Sequence, residues 1–264
     1  MSNVRLRQHT QPSHEKLLMP DHRQELAVLN NVFWYRAVFR AHGIDCGTDD
    51  LAWWSEAATP PFHSNLVVLS PSADASHVQG RLRAIARARS PSGLGVKDSF
   101  AKLDLSAAGY EILFEADWIW REHSHADSTG SAEAWACVTS AAELTAWESA
   151  WWGDARNKLD GPASCQFPAS LLESPNHRFF FKLRGQAVVA GAIANRSPGV
   201  VGLSNAFSVS SANFDDWEGL IQCAGEHFPG VPLVGYERGA ALACATSAGF
   251  VPVGALRVWN RVLR

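Results

Sequence analysis

The chain has 264 residues, of which 47% are hydrophobic and 19% charged, and its formal net charge is −3. This composition is typical of a folded globular protein and excludes a disordered one. The small negative charge argues against general nucleic-acid binding and against an anionic membrane surface as partner, because both need a basic surface. The chain has 11 tryptophans but only 3 tyrosines, which indicates either an aromatic core or a wide apolar binding surface.

The cysteines are dispersed and odd in number, which predicts buried reduced thiols in a cytoplasmic protein and neither a disulfide framework nor a zinc site. They are Cys46, Cys137, Cys165, Cys223 and Cys244. No apolar run approaches the roughly 18 residues of a membrane helix. The first 23 residues are polar and lack the apolar stretch of a secretion signal. We therefore expect a loose N-terminal arm over 1–23 and no membrane contact.

The first part of the chain predicts a helix, a strand, a second helix, a strand, a third helix and a long strand. In that order the segments are 24–42, 65–70, 76–89, 93–97, 99–108 and 110–120. The second helix has apolar residues at Val78, Leu82 and Ile85, and Gly109 occupies the position that ends the third. No hairpin is evident between the first helix and the first strand.

The polar segment 122–130 (EHSHADSTG) is the predicted boundary between a half at 24–130 and a second half at 131–264. The second half predicts a strand and a helix, a hairpin around Gly185, and then alternating strands and helices. These segments are 133–139, 141–152, 179–183, 187–194, 199–210, 215–228, 232–237, 239–248 and 250–262. The helix 141–152 places Trp147 and Trp151 on one apolar face.

The two halves repeat each other at an offset of 140 residues without a gap. Eight positions are identical over residues 64–109, including the Ser64-Asn65 dipeptide, which matches Ser204-Asn205. Element order matches as well, which makes this weak similarity informative. We interpret the chain as two unequal copies of one α/β unit, in which Asn65 and Asn205 are equivalent and have a structural task such as bonding a bulge or the neighbouring half.

The order of elements in the second half resembles the GCN5-related N-acetyltransferase (GNAT) fold. Two segments carry the resemblance: GQAVVAGAIANRSPGVVGLSNAFSV at 185–209 and VGYERGAALACATSAGFVPVGALRVW at 234–259. The first half, with GVKDSFAKLDLSAAGYEILFEADWIW at 95–120, looks like a reduced copy. The resemblance implies a mixed α+β sheet in two GNAT-like halves, an acyl-CoA N-acyltransferase-like fold.

The resemblance also implies an acetyl-CoA-dependent N-acetyltransferase that acts on a small-molecule or peptide amine. Acetyl-CoA would bind along the strand Ala206-Phe207-Ser208-Val209 and the loop after it, with Ser210 and Asn213. Arg238 is a candidate for holding an anionic group through its planar fork. Glu237 ends the next strand, where a carboxylate can accept the proton of an amine.

The sequence departs from the family pattern in ways that keep an alternative open. The loop after Val209 has neither glycine nor a basic residue, and Asp215 and Asp216 follow it. The family's catalytic tyrosine falls at Ala245 in the second half and at Leu105 in the first. The alternative is a catalytically degenerate GNAT-like module that binds a ligand or partner in the groove between its halves. A ligand site retained by the first half is the least supported possibility, because its hairpin is not evident.

The remaining candidates have structural explanations. His123 and His125 lie in a polar loop at a spacing that is common without metal, and we predict no metal site. Trp53 and Trp54 are expected to plug the junction between the halves. We attribute the tryptophan excess to packing between tandem halves, since several lie on the opening helices and closing strands. These are Trp34, Trp118, Trp152 and Trp259.

Overall fold

The structure is a computed structural model and describes residues 22–88, 93–124, 135–153, 165–211 and 214–262. Nearly all of the predicted N-terminal arm and most of the boundary segment 122–130, with His125, lie outside the described residues, as does Asn213. The first half contains α1 His22–Ala41, β1 Gly47–Thr48, β2 Ala52–Trp54, β3 Leu66–Val68, α2 Ala75–Ala88, β4 Gly95–Asp98 and β5 Tyr110–Arg121.

The second half follows the predicted order of elements throughout. Its elements are β6 Trp135–Cys137, α3 Ala141–Trp152, β7 His177–Arg184, β8 Ala187–Ser197, β9 Val200–Ser208, α4 Trp217–His227, β10 Leu233–Glu237, α5 Gly239–Ser247 and β11 Val251–Arg261. Ser140 begins α3 with a capping box, since its hydroxyl accepts from the N–H of Glu143 while the Glu143 carboxylate accepts from the N–H of Ser140.

The predicted helix over 99–108 is wrong, because only a short 3-10 turn forms at Ser106–Ala108. The Asp98 carboxylate accepts hydrogen bonds from the backbone N–H of Leu103 at 2.8 Å and of Phe100 at 3.4 Å. Ala101 has a φ of +53°, which no α-helix accommodates. A buried carboxylate thus holds this segment as a loop in place of helical bonds.

The prediction that the first half lacks a hairpin is also wrong. β1 pairs antiparallel with β2, and β2 pairs antiparallel with β3. The Asp49 side chain makes the turn, since its Oδ1 accepts from the N–H of Leu51 at 2.9 Å and of Ala52 at 2.8 Å. Strands of two and three residues are too short to show an alternating pattern in the sequence.

Within the described residues eleven strands form one mixed sheet, in the order β1-β2-β3-β4-β11-β5-β10-β9-β8-β7-β6. Of these neighbours, β3–β4 and β9–β10 pair in parallel and the others are antiparallel. The final strands of the halves are exchanged: β5 lies between β11 and β10, while β11 lies between β4 and β5. Ala116 pairs with Leu256, its own equivalent 140 residues later, so this pair marks a pseudo-twofold axis.

Helix α1 belongs to the first half but packs on both. Trp34 contacts Phe167 and Phe179 of the second half, whereas Phe39 packs edge-on against Trp53 of the first. The tryptophans expected at the junction, Trp34, Trp118, Trp152 and Trp259, are all buried. Trp259 also lines a cavity, so burial in packing and a place at a cavity wall are combined in this residue.

Trp53 is fully buried beneath α1, while Trp54 lies at the surface of the sheet with the Arg81 guanidinium carbon 3.9 Å from its ring centre. Trp53 therefore packs in the core of the first half and does not plug the junction. Phe62 of the first half contacts both Trp151 and Trp152, with ring centres 5.5 and 5.3 Å apart.

Candidate functional site

Strands β9 and β10 form an opening at their carboxyl ends. They pair at Leu233 with Val201 and at Val234 with Gly202, and within the described residues the pairing stops there. Asn205 has a φ of +52° and lies where the register between β8 and β9 shifts. Asparagine tolerates this left-handed conformation better than most residues. Asn205 therefore lies at a β-bulge, one of the structural tasks expected for it.

Asn65 has a different structural task from its sequence equivalent. It is fully buried, and its Nδ2 donates to the carbonyl of Ala57 at 3.2 Å and to that of Ser55 at 3.4 Å. Its Oδ1 accepts from the N–H of Gly95. Asn65 therefore holds the loop after β2 against β4, while its φ stays outside the left-handed region.

The candidate cofactor residues on β9 form one side of the opening. Ala206, Phe207 and Ser208 are partly exposed, and Val209 is 60% exposed. The N–H of Val209 donates to the carbonyl of Val189 on β8 at 2.8 Å. Because the backbone groups of a strand alternate between its two neighbours, the groups of Ser208 face away from β8. An isolated antiparallel bridge joins Ser208 to Ser211 across the turn, so these groups bond within the chain and not to a ligand in the opening.

The acidic residues expected to repel a pyrophosphate are not equivalent. Asp216 accepts from Lys182 at 2.6 Å and from the indole N–H of Trp135 at 3.0 Å, so its charge is paired. Asp215 is exposed just before α4. Ser210 is exposed in the turn that follows β9. Lys182 lies on β7, far from the loop in sequence, and only the sheet brings its ammonium group to the start of α4.

Glu237 lies at the end of β10, opposite Asp117 of β5. Its side chain is partly buried, and burial raises the pKa of its carboxyl to about 7. No described residue forms an ion pair or a hydrogen bond with that carboxylate. At neutral pH it is therefore present both as an acid and as a base, which suits proton transfer.

Arg238 follows at the start of α5, and its guanidinium carbon lies 4.8 Å from the centre of the Phe114 ring. The side chain is exposed and stacks across the exchanged strand β5. Ala245 and Leu105, the two positions that match the family's tyrosine, are both fully buried in the core. Neither side chain can donate a proton, and neither faces a cleft.

Comparison with solved structures identifies the fold. A conserved protein of unknown function from Staphylococcus epidermidis ATCC 12228 matches with a TM-score of 0.61 at 10% identity, covering 85% of this chain and 98% of that one. A GCN5-related N-acetyltransferase from Kribbella flavida matches with a TM-score of 0.59 at 14% identity, covering 91% and 96%. The chain has the GNAT fold.

A second GCN5-related N-acetyltransferase, from Sphaerobacter thermophilus, has a TM-score of 0.51 at 10% identity and covers 92% of this chain and 94% of that one. These matches span both halves of this GNAT-fold protein, and they confirm the fold that the sequence resemblance implied. No protein-family model and no curated protein matches the sequence.

Other parts of the described chain carry no metal centre or membrane span. No group of three or more His, Cys, Asp or Glu within it could hold a metal ion, and His125 lies outside it. No helix within it is long and apolar enough to cross a membrane. All five cysteines are free, as predicted, but Cys46 and Cys165 are exposed, so the expectation of uniformly buried thiols is wrong.

Proposed function

We propose that the protein is an acetyl-CoA-dependent N-acetyltransferase that acts on the amine of a small molecule or peptide. The observation that carries the proposal is that the pairing of β9 with β10 stops at Gly202 and Val234, although β9 continues to Ser208 and β10 to Glu237. Backbone groups freed by divergent strands are suited to the amides of a pantetheine arm. The partly exposed stretch Ala206–Val209 fits such an arm.

In this proposal acetyl-CoA would supply the acetyl group as a thioester, whose C–S bond breaks as a C–N bond to the amine forms. Glu237 accepts the proton that the amine loses, directly or through a water molecule. A backbone N–H of β9 that faces away from β8 polarises the acetyl carbonyl. The N–H groups at the start of α4 and the exposed guanidinium of Arg238 are available to phosphate, whereas the charge of Lys182 is already paired with Asp216.

The alternative function is a degenerate binding module, and the burial of Ala245 favours it, because no side chain at this position can protonate a leaving thiolate. In the proposed transferase the thiolate leaves into solvent unprotonated. The two functions predict different results for catalytic turnover and for substitution of Glu237. Both include the binding of a ligand.

The test is to measure acetyl-CoA binding by titration calorimetry and thioester consumption with a panel of amines. We expect Glu237→Gln to bind acetyl-CoA as the wild type does but to lose about 100-fold or more in kcat, the usual contribution of a general base. Glu226→Gln, an exposed change on α4, is the matched control and should retain full activity. Absence of binding at millimolar acetyl-CoA would overturn the proposal. Binding without turnover of any amine would favour the module.

A further inference from the structure

A cavity of about 410 Å³ lies at the junction of the two halves, on the α1 side of the sheet. Its wall includes Tyr35 from α1, His63 from the loop before β3, Lys97 from β4, Phe114 from β5 and Tyr236 from β10. The volume falls in the range of about 300–1,000 Å³ that is usual for small-molecule sites. Neither the proposed acyl transfer nor the fold comparison assigns a ligand to it.

Lys97 is the outstanding residue of this wall. It is only 2% exposed, and its ammonium nitrogen donates to Asn31 Oδ1 at 2.9 Å. The same nitrogen lies 4.3 Å from the ring centre of Tyr236 and 4.9 Å from that of Tyr35. In the sheet Tyr236 pairs with Trp118, and Lys97 pairs with Val258. Trp118 and Val258 are equivalent positions 140 residues apart, so the side chains of Tyr236 and Lys97 meet across the pseudo-twofold axis.

No carboxylate among the described residues pairs with Lys97. Burial lowers the pKa of its ammonium group, but Tyr236 and Tyr35 oppose this effect and the pKa is raised overall. The hydrogen bond to Asn31 and the two aromatic rings stabilise the ammonium form of Lys97. A buried charge without an opposite charge is costly, and aromatic rings compensate it only in part.

The rest of the wall adds no second charge. Burial lowers the pKa of His63 to about 4, so the imidazole is neutral at physiological pH, and its Nδ1 lies 2.9 Å from the Pro61 carbonyl. Ser64 and Asn260 add uncharged polar groups, and two of the apolar side chains in the wall are strongly exposed: Phe62 at 73% and Leu113 at 62%. The cavity thus combines one cation with a largely aromatic lining.

We propose that this cavity binds a small monocarboxylate with an aromatic or apolar body, and that Lys97 is the counter-ion of its carboxylate. A single ammonium group matches a single carboxylate, whereas phosphate recognition generally uses several donors or an arginine fork. Phe62, Phe114 and Trp259 supply faces for an apolar body. Tyr236 directly precedes Glu237 on β10, and the side chains of successive strand residues face opposite sides of the sheet, so binding in the cavity does not depend on acyl transfer.

The first test needs no variant. Titration calorimetry on the full-length protein compares 3-phenylpropionate with 3-phenylpropionamide, which has nearly the same shape and no charge. We expect the carboxylate to bind at least tenfold more tightly. Equal affinity of the two compounds, or failure of both to bind at millimolar concentration, would overturn the proposal, whatever the outcome with acetyl-CoA.

Two variants test the counter-ion itself. Lys97→Met removes the charge at similar size and should abolish the preference for the carboxylate, while Lys102→Met, an exposed change nearby, should preserve it. Asn31→Asp places a carboxylate beside the ammonium group, where Asn31 Oδ1 now accepts its hydrogen bond. We expect Asn31→Asp to raise the melting temperature and to weaken 3-phenylpropionate binding at least tenfold. Unchanged binding in Asn31→Asp would contradict the proposal even if Lys97→Met failed to fold.

Discussion

Glu237 shows how burial alone can change the chemistry of one carboxylate. Its position at the end of a strand was predictable from the sequence, because the apolar run of β10 ends there. The rise of its pKa to about 7 was not predictable, since it comes from burial at the end of a sheet shared by both halves. The ordinary value for this group is 4.5. The folded state therefore binds this proton more tightly than the unfolded state does.

This difference predicts how stability varies with pH. Between about pH 4.5 and 7 the folded protein retains a proton that the unfolded chain releases, so the Glu237 contribution to stability falls as the pH rises. Glu237→Gln removes that loss and should stabilise the protein above pH 7 by up to about 3 kcal/mol, but not at pH 4.5. Urea unfolding of the wild type and of Glu237→Gln at pH 5 and pH 8 measures this difference in the free energy of unfolding. An equal stability difference at both pH values would contradict the burial of this carboxylate.

Two lysine contacts mark the limit of sequence analysis at the residue scale. Lys182 reaches Asp216 across 34 residues, and Lys97 reaches Asn31 across 66. Neither pair forms a local motif, and each depends on which strands become neighbours in the sheet. The sequence predicted a negative loop after β9, whereas the folded chain pairs one of its two acidic side chains.

At the scale of elements, helix α1 is held to the second half by buried hydrogen bonds that no pattern in the sequence predicts. Asn30 Nδ2 donates to the carbonyl of Asn195 at 2.9 Å and to the Ser197 hydroxyl at 2.9 Å. Asn195 Nδ2 donates in return to Asn30 Oδ1 at 3.0 Å. All three residues are buried, so these hydrogen bonds satisfy groups that would otherwise be costly.

The contact requires glycine at position 202 of β9. A Cβ atom there would overlap the Asn30 side-chain oxygen and lie 2.8 Å from Asn195 Oδ1. Gly202→Ala should therefore destabilise the protein by about 1–3 kcal/mol, as overpacked cores do. Gly80→Ala on α2, where a Cβ meets no atom within 4 Å, is the control and should be neutral or stabilising. Chemical denaturation compares the two, and a Gly202→Ala variant as stable as the wild type would contradict the tight packing of α1.

Long elements were predictable and short ones were not. Helix α3 begins and ends where its apolar spacing predicts, and β5 and β11 have long, largely apolar sequences. β1 and β2 depend on a turn made by the Asp49 side chain. The failed helix over 99–108 has a good apolar pattern, and the Asp98 side chain overrides that pattern. Side-chain bonds to the backbone therefore decided the local structure where the sequence pattern failed.

At the scale of the molecule, the exchange of β5 and β11 changes what the repeat means. The offset of 140 predicts two units in series, and each unit supplies equivalent strands and a helix between them, although only the second forms the last helix, α5. Each unit nevertheless closes its part of the sheet with the other unit's last strand. The repeat was visible in the sequence because equivalent positions retain similar residues. The exchange was not, because strand order depends on pairing between segments that have similar patterns.

The exchange predicts that the two halves, as divided at residue 130, do not fold independently. The two neighbours of β5 in the sheet, β11 and β10, belong to the second half. The two neighbours of β11, β4 and β5, belong to the first half. Fragments 1–130 and 131–264 would each leave a long apolar strand unpaired, which favours aggregation over folding. We expect neither fragment alone to show a cooperative unfolding transition, whereas the two co-expressed should copurify and unfold together. Cooperative unfolding of fragment 131–264 alone, near the melting temperature of the intact chain, would show that the exchanged strand is dispensable.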